Sequence, residues 1–406
     1  RALARSPQRP ELLCAPGNPG IARDARLLGV GAQDVPGLVA AARAERVDLV
    51  VVGPEVPLVL GLVDALVAAE IPAYGPSAAA AALEGSKAFA KEVMAAAGVP
   101  TAGFAVVDDV EAGLTAIGGR YPVALKFDGL AGGKGVVLPA GEAEARGALE
   151  DFLVHRRFGP GSVVVEDFLH GEELSLLAVC DGERAVPLAP ARDFKRIGDG
   201  DRGPNTGGMG SFSPVAGAGD VGALCAAIHQ PVLDELRARG IPFSGTLYAG
   251  LMLTADGPRV IEFNCRFGDP ETQAVLPRMD SDLLALLQAA AEPGGLAGAE
   301  PPRWREDWAV TVVLASAGYP ASSSSGDVIA GLDRVPAGVE VTHAGTALDA
   351  QGRTVTAGGR VLNVTGLGAT PAAARDAAYA AADLITFEGR QLRTDIARAA
   401  AMEHPT

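Results

Sequence analysis

The apolar positions of the first 85 residues fall into two alternating patterns. VDLVVVGPE is a continuous β-type run ending in Gly-Pro, the pattern of a strand covered on both faces. LVLGLVDALVAAE follows with helical spacing. This βαβ rhythm predicts a parallel, doubly wound sheet over residues 1–85, with ligands at the C-terminal strand ends. The loops APGNPG and GPEVPL lie at such ends, so Gly17, Asn18, Gly53 and Glu55 are binding candidates; ordinary turn chemistry explains them equally well. RALARSPQ reads as the end of a helix, which places a further strand upstream of Arg1.

Further on, SKAFAKEVMAAAGVP predicts a helix stopping at Gly98, before Pro100. YPVALKFDGLAGGKGVVLP, a helical stretch Glu142–Val154 and GSVVVEDFLHGEELSLLAV make the middle of the chain mixed α and β. GLMLTADGPRVIEFN predicts a β-hairpin turning at Asp256-Gly257. Its period of two puts Ile261, Phe263 and Cys265 on one face, and Val260, Glu262 and Asn264 on the other. From Trp308 the pattern becomes short strands with Gly-rich turns, closing in an Ala-rich helix Pro371–Leu384. The fold class is therefore α/β and α+β multidomain.

A chain of 406 residues exceeds one compact core. No apolar run is long enough to span a bilayer, so no membrane partner is expected. The net charge of −15 argues against nucleic acid as a partner but leaves room for a basic pocket holding a small anion. Cys14, Cys180, Cys225 and Cys265 are widely separated and read as reduced thiols in a cytoplasmic protein. Lysine usage says more. Of 34 basic residues, only Lys87, Lys91, Lys126, Lys134 and Lys195 are lysines, where a compact ammonium replaces the planar Arg fork. Lys91, one turn after Lys87, is read as incidental; the other four each fall in a motif.

VALKF and GVVLP flank DGLAGGKG, giving strand, glycine loop, strand. A P-loop needs a following helix and Ser or Thr after the Lys, and here Gly135 follows Lys134. Glycines on a hairpin, among them Gly132 and Gly133, can instead close over a triphosphate with backbone N–H groups, while Lys126 reaches a phosphate oxygen. VVVEDFLHGEELS adds backbone near Glu166 and Leu169 for a flat base, and Glu173 for ribose hydroxyls; Glu172 reads as a solvated acid. Glu262 and Asn264, side by side on a partly buried strand, need a partner. Mg²⁺ fits, because it takes one or two protein oxygens and leaves the rest to phosphates and water. CRFGDPETQ places Arg266, Asp269 and Glu271 for a zwitterionic or anionic substrate. ARDFKRIGDGDRGPNTGGMGS reads as an active-site loop, with Asp193 and Lys195 as its chemical groups.

PGNPG, GPEVPL, SKAF, LKFDGLAGGKGV, GPNTGGMG and RVIEFNCRFGDPETQ, in this order, resemble the phosphoribosylamine–glycine ligase family of the ATP-grasp superfamily. The resemblance covers essentially the whole chain. It implies a doubly wound N-terminal substrate domain (1–85), an ATP-grasp core (86–302) with a mobile lid (105–178), and a small β-rich C-terminal domain (303–406). It implies Lys87, Lys126, Gly132, Gly133, Lys134 and Lys195 on ATP phosphates, and Glu166, Leu169 and Glu173 on adenosine. Glu262 and Asn264 would hold Mg²⁺, or Mn²⁺. Lys126, Asp193, Lys195 and Arg266 would be catalytic, and Gly17, Asn18, Gly53, Glu55, Asp193, Arg266 and Asp269 would hold glycine and 5-phosphoribosylamine. A monomer or weak homodimer is expected. Two alternatives stay open: an ATP-grasp ligase for another amine, and a nucleotide-binding module without catalysis. The family opens with a GGREHA-type loop, and this chain begins after the corresponding point. Phe194 stands where the family has His in DHKR, which removes proton transfer by that side chain. DIA (Asp395–Ala397) replaces a commoner DIG, with little consequence expected.

Overall fold

A computed structural model describes residues 1–132 and 134–404. Gly133 therefore lies outside the described residues. The N-terminal region holds the parallel pairing expected of βαβ units, as two separate pairs: Leu13–Cys14 with Arg26–Leu27, and Val50–Val51 with Ala73–Tyr74. Between the second pair the run expected as one helix forms two, Glu55–Val59 and Leu62–Ala68. Gly61 divides them by adopting a left-handed φ of +82°, a conformation that suits a residue without Cβ.

The central sheet is antiparallel, in the order Ala185–Pro187, Glu172–Asp181, Ser244–Thr254, Gly257–Asn264. Leu174, Leu176, Ala178 and Cys180 face one hydrophobic cluster together with Leu233 and Leu236 of the helix Val221–Ala238. Leu177 and Val179 face a second cluster with Leu283 and Leu287 of the helix Leu283–Ala290. Both faces are thus buried, which is why SLLAVC carries no polar alternation.

The hairpin pairs Thr254 with Gly257, so its turn is Ala255-Asp256, one residue earlier than expected. A bulge changes the face assignment as well. Gly250 stands opposite Glu262 and Leu251 opposite Val260, leaving Ile261 as the extra residue. Val260 consequently joins Phe263 and Cys265 in the core, and Ile261 leaves that face. Glu262 and Asn264 keep the shared face that alternation predicts.

Residues 104–167 build a smaller antiparallel sheet with strands Phe104–Val107, Val163–Asp167, Val123–Phe127 and Val136–Val137 in that order. Helices Val110–Ile117 and Glu142–Leu149 supply the rest of its own core, which includes Ile117, Leu125, Leu149 and Phe152. Its strand–loop–strand over 123–137 is as expected.

The C-terminal sheet orders Arg192–Asp193, Gly210–Ser213, Trp308–Ala315, Arg360–Gly368 and Glu340–His343. Its first two strands come from the segment expected to be one loop, and Arg196–Gly198 pairs with Arg202–Asn205 as a further hairpin. The correction has a simple cause. Ser211 and Ser213 are buried, so their backbone groups must be paired, and Trp308–Ala315 supplies the partners. The substitution of DIA for DIG sits in this region. Ala397 is fully buried at φ +57°, a placement costing about 1–2 kcal/mol. Glycine there would lose about 0.8 kcal/mol of methyl burial and about 0.4–1 kcal/mol through the unfolded chain. The effects nearly cancel.

No helix among the described residues is long and apolar enough to cross a membrane. The Ala-rich helix Pro371–Leu384 lies on the C-terminal sheet through Ala374, Ala378 and Ala381. It approaches closely because Gly366 has no side chain: a Cβ there would sit 2.3 Å from the Ala374 carbonyl oxygen. Gly366→Ala must push helix from sheet, and we expect it to destabilise the protein by about 2–3 kcal/mol in a denaturant titration.

Candidate active site

A cavity of about 1360 Å³ opens where the N-terminal region, the two central sheets and the C-terminal tail meet. Its floor is the strand Gly257–Asn264, which presents Glu262 and Asn264 two residues apart. Four cations reach this floor from four elements. Lys87 is the first residue of the helix Lys87–Ala96, capped by Ser86. Lys126 sits mid-strand in the small sheet. Lys195 follows the strand Arg192–Asp193, and Arg266 follows the floor strand.

Burial opposes the charge of Glu262, but Lys195, Lys126, Lys87 and Arg266 outweigh it and hold its carboxyl below the usual range. The Lys195 ammonium is 3.8 Å from Glu262 and 2.8 Å from Asp193. Burial works against that ammonium, yet Asp193, Tyr248 and Glu262 raise it well above the ordinary lysine range. Arg266 bridges Glu55 and Glu84, each at 3.2 Å. Lys126 donates to the Ile261 carbonyl at 2.8 Å, the group the bulge sets free. Its ammonium also lies 2.9 Å from Glu166 Oε1.

The glycine loop is fastened to the helix at Lys87. Asp128 accepts from Ser86 Oγ at 2.9 Å and from the Ala88 N–H at 3.1 Å, while Lys87 donates to the Gly129 carbonyl at 3.1 Å. Gly132, Leu169 and Glu173 line the cavity with Gly53, Glu55 and Asp269. Burial raises the Glu173 carboxyl to about 7. Asp269 pairs with Arg360 at 3.3 Å. Glu172, read as solvated, is exposed and pairs with Arg192.

Three candidates stand elsewhere. Lys134 is exposed and off the cavity wall. Asn18 donates to the His343 carbonyl at 2.8 Å and accepts from the Gly20 and Ile21 N–H groups, which ties the APGNPG loop to the C-terminal sheet. Gly17, beside it at φ +75°, packs against Leu27.

Sequence reasoning missed several groups. Lys91, read as incidental, is buried at 2 % exposure and pairs with Glu166 at 2.9 Å. Glu84 pins Arg266 from the N-terminal region. Ser175 lies 3.0 Å from the Tyr248 hydroxyl and 3.2 Å from Glu271 Oε1. On the opposite wall, the Arg393 guanidinium stacks 4.9 Å from the Phe194 ring centroid and pairs with Asp201 and Asp395, both at 2.7 Å. The only local hint was the cost of placing Lys or Ser inside otherwise apolar runs; their partners are far away in sequence.

The residues fit a divalent cation of low protein-ligand demand. Among the described residues no three His, Cys, Asp or Glu side chains cluster as a metal cage. The donors are instead one carboxylate held anionic and the Asn264 amide, whose side chain takes part in no hydrogen bond among the described residues. One carboxylate plus one neutral oxygen suits Mg²⁺, which keeps its remaining positions for phosphates and water.

Comparison with known proteins shows the family of the chain. The phosphoribosylglycinamide synthetase N domain matches residues 1–84, the ATP-grasp (A) domain residues 85–272, and the C domain residues 309–399. The phosphoribosylamine–glycine ligase of Streptomyces coelicolor is 52% identical, over 99% of this chain and 96% of its own. That of Caulobacter vibrioides is 48% identical, over 97% and 93%. The crystal structure of phosphoribosylamine–glycine ligase from Thermotoga maritima superposes with a TM-score of 0.81 at 34% identity, covering 97% of this chain and 96% of that one. A biotin carboxylase–ATP-analogue complex from Campylobacter jejuni, at 18% identity and a TM-score of 0.71, shares the fold alone. The chain belongs to the phosphoribosylglycinamide synthetase family.

Proposed function

We propose that this protein is an ADP-forming carbon–nitrogen ligase that joins glycine to 5-phosphoribosylamine, giving glycinamide ribonucleotide in de novo purine biosynthesis. The observation that carries the reading is the gathering of Lys87, Lys126, Lys195 and Arg266 around one anionic carboxylate, Glu262. Such a cavity binds a polyanion beside a divalent cation. A glycine carboxylate oxygen attacks the γ-phosphorus of ATP, and ADP departs. The phosphoribosylamine nitrogen then attacks the carbonyl carbon of glycyl phosphate, phosphate leaves, and the nitrogen loses a proton.

The chain's own groups act by positioning and charge neutralisation. Lys87 and Lys126 take nucleotide phosphates, with backbone N–H groups of the glycine loop. Leu169 and Glu173 receive the base and ribose, together with the backbone at Glu166. Arg266, held by Glu55 and Glu84, receives a carboxylate or phosphate, and Asp269 adds an acceptor nearby. Asp193 orients Lys195 toward the reacting phosphate. Glu262 and Asn264 would hold Mg²⁺ or Mn²⁺, which when bound neutralises phosphate charge. The small sheet, carrying the glycine loop, shields the acyl phosphate from water. Phe194, stacked on Arg393, contributes a dry wall and no proton carrier.

Purified protein should release ADP only when glycine and phosphoribosylamine are both supplied. ATP binding without that turnover removes the enzyme reading, and equal turnover with another amine removes the substrate. Glu262→Gln combined with Asn264→Ala should abolish cation-dependent turnover, yet leave a circular dichroism spectrum close to the parent's and a single cooperative melt, its midpoint lowered by the loss of the carboxylate among the four cations. Unchanged activity would withdraw the metal assignment.

Glu271 adds a pH dependence. Burial, reinforced by Asp193, raises its carboxyl from 4.5 to about 7. A carboxyl with a raised folded-state pKa contributes stability below its unfolded value, and that contribution is lost as pH climbs through about 7. The ligand-free protein should therefore lose melting temperature between about pH 5 and pH 8, and Glu271→Gln should make the fall shallower.

A further inference from the structure

Lys91 is a charged side chain at the wall of the cavity with almost no contact with water. It is 2 % exposed, on the buried face of the helix Lys87–Ala96. Its ammonium lies 2.9 Å from Glu166 Oε2 and donates to Thr101 Oγ1 at 2.6 Å. Thr101 in turn donates to the Val260 carbonyl at 2.6 Å. The other oxygen of the same carboxylate, Glu166 Oε1, lies 2.9 Å from Lys126. One buried acid thus sits between two buried lysines. Burying a lysine carries a desolvation penalty that only well-placed partners offset, so an incidental lysine here would be expensive.

The charge count gives it a purpose. Glu166 and Lys126 alone would neutralise each other, and Lys126 would offer little net attraction to a phosphate. With Lys91 sharing the carboxylate, the three groups sum to one positive charge on the cavity wall. Geometry leads to the same end. An ammonium has three donors; Lys126 gives one to the Ile261 carbonyl and lies beside Glu166 Oε1 as an ion pair without a hydrogen bond to it, which leaves donor capacity for a ligand. Burial pulls the Lys91 ammonium down to about 8, and Glu166 works against that fall.

We infer that Lys91 is a positioning residue: by holding one oxygen of Glu166 at the joint between the small sheet and the cavity floor, it keeps the charge of Lys126 available to a nucleotide phosphate. The inference rests on the ATP-dependent reading above.

Its test separates the two. ATP with Mg²⁺ is titrated calorimetrically, without glycine, into the full chain carrying Lys91→Met, or Lys91→Met together with Glu166→Gln. Steady-state kinetics and thermal melts run beside the titrations. Lys91→Met should weaken ATP binding and raise the KM for ATP by about tenfold or more, as when one partner of a buried charge pair is removed. The KM for glycine should stay within about twofold, since Arg266 and Asp269 are untouched. The double variant should recover most of the lost ATP affinity, because Lys126 then faces a neutral amide. A merely structural lysine would show its loss and its rescue in the thermal melts, while the folded single variant would bind ATP as the parent does. Parental ATP affinity in Lys91→Met overturns the inference, as does a double variant that binds ATP no better than the single. Should Lys91→Met fail to fold, the double variant carries the test, with affinity within about threefold of the parent supporting the role and a larger loss overturning it. Absence of ligase turnover in the parent protein would sink the catalytic reading alone, since the binding comparison does not depend on it.

Discussion

Like charges cannot be gathered in a half-buried cavity unless opposite charges hold them there. Around Glu262 the protein meets this constraint by delivering each cation from a different element and giving three of the four an acid besides Glu262. Lys126 has Glu166, Lys195 has Asp193, and Arg266 has Glu55 and Glu84. Lys87 alone is satisfied by a carbonyl, that of Gly129. The domain arrangement follows from the requirement. A helix end, a strand of the small sheet, a strand extension and a post-strand loop must all stop within reach of one carboxylate.

The bulge at Ile261 is the local device that makes the floor work. Regular pairing would tie the Ile261 backbone into the ladder and leave Val260 on the polar face. The extra residue instead sends Val260 into the core and turns a carbonyl toward Lys126. Bulges that re-aim backbone beside an active site are a recurrent use of this irregularity. Here the cost is one disrupted ladder position, and the return is a fixed ammonium.

Much of this was legible in the chain. Strict alternation placed Glu262 and Asn264 on one face, the glycine-rich hairpin marked Lys126, and the helix Pro371–Leu384 was bounded by its own pattern. What escaped was set by distant partners. Nothing near Lys91 announces Glu166, and nothing near Ser211 announces Trp308–Ala315, whose pairing turns a polar segment into a buried strand. Alternation also misplaced Val260 and Ile261, because a bulge depends on the partner strand, which the local pattern does not contain. Lys134 and Asn18 were singled out by motif, but the first is exposed and the second ties two regions together.

The sheet that takes Arg192–Asp193 and Gly210–Ser213 together with strands from Trp308 onward bears on the order of events at the ribosome. Asp193 and Lys195 belong to a segment whose neighbouring strand, Gly210–Ser213, pairs with Trp308–Ala315, about a hundred residues later in synthesis. A nascent chain ending before that strand has the local contacts of Lys195: its carbonyl accepts from the Thr206 N–H at 2.7 Å and its ammonium lies beside Asp193. It lacks the strand on which Gly210–Ser213 is laid. Such long-range pairing forms late. The sheet that backs the segment of Asp193 and Lys195 is therefore complete only after residues 308–315 have been made.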